Sequence, residues 1–178
     1  MSGIVIANKS YPPNEVIVQS EKAAQWFIII AGFSLLNSIL VYMGAEVNFV
    51  VGLGVTMLVD GVLLVSQGEL SGLARILIQT IAIGFNVGVL VFFWIIWKKS
   101  KRGSRGAYLF GMIIYLLDSL LFLMVGDWVG VGFHLFFLFF IFGGYGFIKH
   151  RRVAEALLSE SRQTEFNDVT AKTDANKF

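Results

Sequence analysis

Five apolar runs, each close to twenty residues long and parted by short breaks, constrain this chain more than any other feature. They are Ala24–Met43, Phe49–Gln67, Leu73–Trp97, Ala107–Val125 and Trp128–Ile148. A helix needs about 20 residues to cross the hydrocarbon core of a bilayer. A soluble domain would instead scatter charge over amphipathic helix faces. From Ala23 to Trp97 the only charged residues are Glu46, Asp60, Glu69 and Arg75. With 56% of residues apolar and a mean hydropathy of +0.74, the chain needs a solvent other than water. The expected fold is all-α: a polytopic transmembrane bundle of about five helices over 23–148. A polar segment, 1–22, precedes it. A basic juxtamembrane stretch and polar tail, 149–178, follow it, with Ser159–Phe178 expected to be disordered.

Charge and cysteine content narrow the function classes. The net charge of +2 is small and the basic residues flank hydrophobic segments, so nucleic acid is not an expected partner. Without cysteine there is no thiolate metal site and no cysteine nucleophile. A single intramembrane histidine, His134, does not make a metal site by itself. No cofactor, metal or catalytic residue is expected. The expected partners are the lipid bilayer and either a second copy of the chain or another membrane protein.

Lys and Arg near helix ends resist translocation and set orientation. Lys98, Lys99, Lys101, Arg102 and Arg105 share one loop, and Lys149, Arg151 and Arg152 follow the fifth run. Placing both clusters in the cytoplasm leaves Lys9, Lys22 and Arg75 outside, and an odd helix count then puts the N-terminus outside. The second run is the least convincing lipid-facing helix, because it contains Gly52, Gly54, Thr56, Asp60 and Gly61. Its alternative reading is a re-entrant element buried in protein, which leaves four spans and brings the N-terminus to the cytoplasmic side.

A shift of 58 residues aligns Leu58, Asp60, Leu63, Gly68, Gly72 and Leu77 with Leu116, Asp118, Leu121, Gly126, Gly130 and Leu135. Helices two–three and four–five thus read as an internal hairpin repeat, each unit with a central Asp and a Gly-acidic-x-x-Gly turn. Asp118 lies nine residues before Asp127 and His134 seven after it, about 13 and 10 Å below the same turn. Asp60 and Arg75 lie at similar depths about Glu69. An ionised Asp at the bilayer centre costs about 2.5–3.5 kcal/mol, so each acid needs a partner. The expected pairs are Asp118 with His134 and Asp60 with Arg75. Helical spacing adds Asn37, Thr56, Asn86 and Tyr115 to the internal polar faces, and Asp127 reads as the N-cap of the fifth helix. Gly84-x-x-x-Gly88 and Gly126-x-x-x-Gly130 fit a small-residue packing pattern.

The residues Trp26-Phe27-x-x-x-Ala31-Gly32-x-Ser34-x-x-Asn37-Ser38, followed by Gly52-Leu53-Gly54-Val55-Thr56-x-x-x-Asp60, resemble a family of small bacterial polytopic membrane proteins with no established activity. Tyr115-x-x-Asp118, Asp127-Trp128 and His134 carry the same likeness. The resemblance covers about residues 24–148. It implies a bacterial inner membrane and assigns no reaction; the several passes and the cytoplasmic C-terminus follow from the apolar runs and the basic clusters. The favoured role is a non-catalytic structural, accessory or self-associating bundle. The alternative is an ion- or proton-coupled transporter or channel working through the intramembrane Asp, Arg and His. An enzyme is disfavoured: the closest approach to a Gly-x-Ser-Gly nucleophile turn, Gly68-Glu69-Leu70-Ser71-Gly72, has one residue too many.

Overall fold

The computed structural model describes residues 3–43, 52–69 and 72–175. Among them the chain forms a short hairpin, β1 (Ile4–Ile6) and β2 (Lys9–Tyr11), and five helices. These are α1 (Pro13–Tyr42), α2 (Gly54–Glu69), α3 (Leu73–Lys101), α4 (Arg105–Met124) and α5 (Trp128–Ala175). The expected breaks at Gly44–Asn48 and Leu70–Ser71 lie outside the described residues, as does the Glu69 side chain.

Four helices, α1, α3, α4 and α5, are long and apolar enough to cross a membrane, and the chain is a membrane-embedded helix bundle. α1 starts with Pro13 at its first position, where a missing N–H costs nothing, and Glu15 sits in the positive first turn. The α3–α4 turn uses Gly103 at φ 76°, a left-handed conformation that a Cβ disfavours. Ser104 then caps α4 by accepting from the Ala107 amide. The core gathers Phe27, Ile30, Phe93, Tyr108, Tyr115 and Ile141 where α1, α3, α4 and α5 meet.

α2 departs from the expected span. Its 16 residues reach about 24 Å, and it begins inside the bundle. The Leu53 amide donates to Ser34 Oγ at 2.7 Å, and Ser34 lies eight residues below Tyr42, about 12 Å in from the end of α1. From there α2 runs parallel to α4, with Gly54 beside Asp118 and Leu58 beside Val125. It runs antiparallel to α3, with Asp60 beside Asn86. α2 therefore starts at mid-depth in the bundle and runs back toward the end at which α1 finishes. Among the described residues, four helices are long and apolar enough to span, and the Gly-rich, Asp-bearing α2 is a shorter helix that starts inside the bundle, as the alternative reading of the second run expected. Both proposed repeat units rise in the same direction, but their acids find partners at non-equivalent positions.

Contacts at the two tails place both at one end of the bundle, where the odd helix count had separated them. Glu21 near the start of α1 meets Lys101 at 3.7 Å and Arg151 at 3.2 Å. The N-terminal segment, the 98–106 loop and the chain beyond Ile148 thus share one end, called the basic end below. Cysteines placed at Ser10 and Ser159 should react alike with an impermeant thiol reagent in intact cells, and opposite to one placed at Val125 in the far turn. Opposite labelling of Ser10 and Ser159 would restore the five-span arrangement.

Both tails are more ordered than their composition implied. The 1–22 segment contains the hairpin and the first turns of α1. Ala7 and Asn8 take φ 48° and 63°, the two positive values that a tight two-residue hairpin turn requires. Ile4 and Ile6 alternate inward and pack with Val16 and Ala154. α5 runs unbroken through Lys149 to Ala175, so the expected disorder after Ser159 is overturned. No Gly or Pro follows Gly146 to stop the helix. Arg151 bonds Glu155 one turn on, and hydroxyls of Thr164, Thr170 and Thr173 bond carbonyls one turn back.

Candidate functional site

The helix ends and glycines place two buried acids in the bundle. Gly126 at φ 74° turns the chain between α4 and α5. Asp127 caps α5, accepting from the Val129 and Gly130 amides at 3.1 and 3.0 Å. That tight turn brings Asp118 and His134 level, and His134 Nε2 lies 2.9 Å from Asp118 Oδ2. The pair expected from depth is formed.

Asp118 does more than meet the imidazole. Its Oδ2 accepts from the Gly54 amide at 2.7 Å and its Oδ1 from the Val55 amide at 2.9 Å. These are first-turn amides of α2, which have no acceptor within their own helix, and the carboxylate lies at the positive end of that helix. Gly54 allows this approach: a Cβ there would sit 2.7 Å from the Phe122 ring and 3.3 Å from the Asp118 carbonyl oxygen.

His134 is fully buried, stacked on Tyr115 at 4.5 Å and flanked by Phe122 at 4.6 Å. Its Nδ1 contacts the Gly130 carbonyl at 3.0 Å. A carbonyl only accepts, so this contact requires a proton on Nδ1. The Nε2–Oδ2 contact requires one more proton between the two groups. The pair is then neutral as a whole wherever that proton sits, which removes most of the penalty for burying its members in hydrocarbon.

The second acid has neutral company. Ser38 Oγ donates to Asp60 Oδ2 at 2.6 Å. Asn86 Nδ2 donates to Asp60 Oδ1 at 2.7 Å and to Ser38 Oγ at 3.1 Å. The Tyr42 side chain lies near the same carboxylate. Asn86 Oδ1 is buried without a partner among the described residues. Arg75, expected to pair with Asp60, is exposed and lies eleven residues from Asn86, about 16 Å further along α3. The expected Asp60–Arg75 pairing is corrected to Asp60 with Ser38 and Asn86.

The remaining expected residues divide between structure and site. Thr56 turns its hydroxyl to the Leu53 carbonyl at 2.8 Å, and Asn37 is buried where Gly52 crosses α1, 3.6 Å from a Cβ built there. The two glycine patterns divide: Cβ atoms at Gly84 and Gly88 would meet nothing within 4 Å, whereas Gly130 of the second pattern lies against the Phe122 ring. Close helix approach also occurs at Gly111 and Gly144, outside both patterns. Sequence reasoning missed the backbone amides of Gly54 and Val55 as the ligands of Asp118. Glycines beside Asp-bearing helices were the one available signal. Among the described residues no cluster of His, Cys, Asp and Glu is arranged to hold a metal ion. No family model matches the chain, and neither a curated protein nor a solved structure does.

Proposed function

We propose that this protein is a non-catalytic membrane bundle, an accessory or self-associating component, whose buried polar residues seat a re-entrant helix. The observation that carries this reading is Asp118, whose hydrogen bonds go to His134 and to the buried start of α2. Ser38, Asp60, Asn86, Asp118 and His134 are each at most 6% exposed, as polar glue between helices should be. α3 leaves most of its surface uncovered, which suits contact with lipid, a second copy or another membrane protein.

The basic end is assigned to the cytoplasm of a bacterial inner membrane, together with the C-terminus. Lys9, Lys22, Lys98, Lys99, Lys101, Arg102, Arg105, Lys149, Arg151 and Arg152 gather there, against Arg75 at the far end, in keeping with the positive-inside bias.

A proton- or cation-coupled carrier is the second reading. It is favoured by Asp60, a buried carboxylate among neutral donors beside an Asn86 oxygen that has no partner among the described residues, and by a half-helix starting at mid-depth, a feature of ion and substrate sites in transporters. Proteoliposomes carrying a pH-sensitive dye separate the two. The bundle reading expects proton and sodium flux equal to that of empty vesicles, before and after Asp60→Asn. A flux that Asp60→Asn abolishes would establish the carrier instead.

A further inference from the structure

The basic end carries a second polar feature, remote from both buried acids. Where α3 leaves the bundle, a pocket of about 540 Å³ is walled by Lys98, Lys101, Arg102 and Arg151 and floored by Trp94 and Trp97. Glu21 is its one acid, and it already binds Arg151 and Lys101. We infer that this pocket holds the phosphate headgroup of an anionic membrane phospholipid.

Charge, order and position each support the assignment. Four cations meet two acids, Glu21 in the pocket and Glu155 on Arg151, so a positive excess of two remains after the ion pairs are formed. Arg151 is 8% exposed and fixed by Ser20 at 3.0 Å, Glu21 at 3.2 Å and Glu155 at 2.8 Å. Its guanidinium is positioned before any ligand arrives, which lowers the ordering cost of binding. Lys98 Nζ rests 4.7 Å from the centre of the Trp94 ring and Lys101 Nζ 5.8 Å from that of Trp97, so cation–π attraction holds both ammonium groups at the rim. The Trp97 Nε1 donor has no partner among the described residues.

Position distinguishes a lipid from a free anion. The pocket sits at the last turns of a membrane-crossing helix, with two Trp rings at headgroup depth. On the α3 face that carries Lys98, helical spacing places the exposed Val91, Trp94 and Ile95 one to two turns further toward the bilayer, a surface for acyl chains. A ligand matching this site is phosphate at one end and hydrocarbon at the other. Basic pockets at the cytoplasmic ends of helices recognise anionic headgroups in this way.

The test uses the full chain purified in a neutral detergent, with bound lipid counted by native mass spectrometry as phosphatidylglycerol, phosphatidylcholine or inorganic phosphate is titrated. Phosphatidylglycerol should be retained in preference to phosphatidylcholine, and inorganic phosphate should not compete at equal concentration. The K98Q/K101Q/R102Q variant should lose about tenfold in phosphatidylglycerol affinity. A control, K99Q/K149Q/R152Q, removes three charges from the same end outside the pocket and should stay within about twofold. Equal losses in both variants, or equal competition by inorganic phosphate, overturn the assignment in favour of diffuse charge or a soluble anion. On the wild-type chain, a photoactivatable phosphatidylglycerol should crosslink within residues 94–102, and crosslinks confined to other segments would overturn it whether or not the variants fold.

Discussion

Replacing Asp118 or His134 with Ala is expected to lower the unfolding free energy of the bundle by about 3–5 kcal/mol, because removing one member of a buried pair strands the other. Asp118→Ala should be the worse, since it also strips the acceptor from the Gly54 and Val55 amides. The double substitution should cost less than the sum of the singles by about 1–3 kcal/mol, the coupling typical of contacting residues in one network. Denaturant unfolding in detergent, followed by circular dichroism, gives all three values. An ordinary hydrogen bond between membrane helices contributes about 0.6 kcal/mol on average. Single losses of that size, added without coupling, would reduce the pair to general glue and leave the seating of α2 to other contacts.

The second large effect is expected at Gly144. A Cβ built there lies 2.3 Å from Ala23 Cβ and 2.8 Å from the Tyr108 hydroxyl. Ala23 has no rotamer to change, so α1 and α5 must move apart. The Tyr108 hydroxyl, bonded to the Ile141 carbonyl at 2.6 Å, must shift with them. Gly144→Ala should therefore destabilise by about 1–3 kcal/mol, the usual cost of overpacking. Gly84→Ala and Gly88→Ala, with open space around them, should be neutral or slightly stabilising through helix propensity. If all three behaved alike in the same unfolding experiment, the close approach of α1 and α5 would be wrong.

Features that depend on neighbours in sequence were legible. The Asp118–His134 pair was found because a tight turn fixes which residues of the flanking helices are level: the midpoint of 118 and 134 is Gly126, which sits in that turn. The same reasoning failed for Asp60. Its partner Asn86 places the midpoint at Leu73 rather than at Glu69, so α3 extends past α2 and carries Arg75 out to the far end. Packing of α2 against α1 and α4 sets that offset, and no local signal in residues 60–75 encodes it.

Hydrophobic run length, capping residues and the clustering of Lys and Arg were enough to determine an all-helical membrane bundle, the Asp127 cap and the acid–imidazole pair. Tertiary structure alone decided that α2 starts at mid-depth, that the N-terminal segment joins the basic end and that Asp118 holds the start of α2. The physical reason lies in the ligands. Every residue except proline carries a backbone amide, so no residue type marks which ones will be unpaired. Only the place where α2 begins leaves the Gly54 and Val55 amides without helical acceptors, and only the packing of α2 against α4 brings a carboxylate to them.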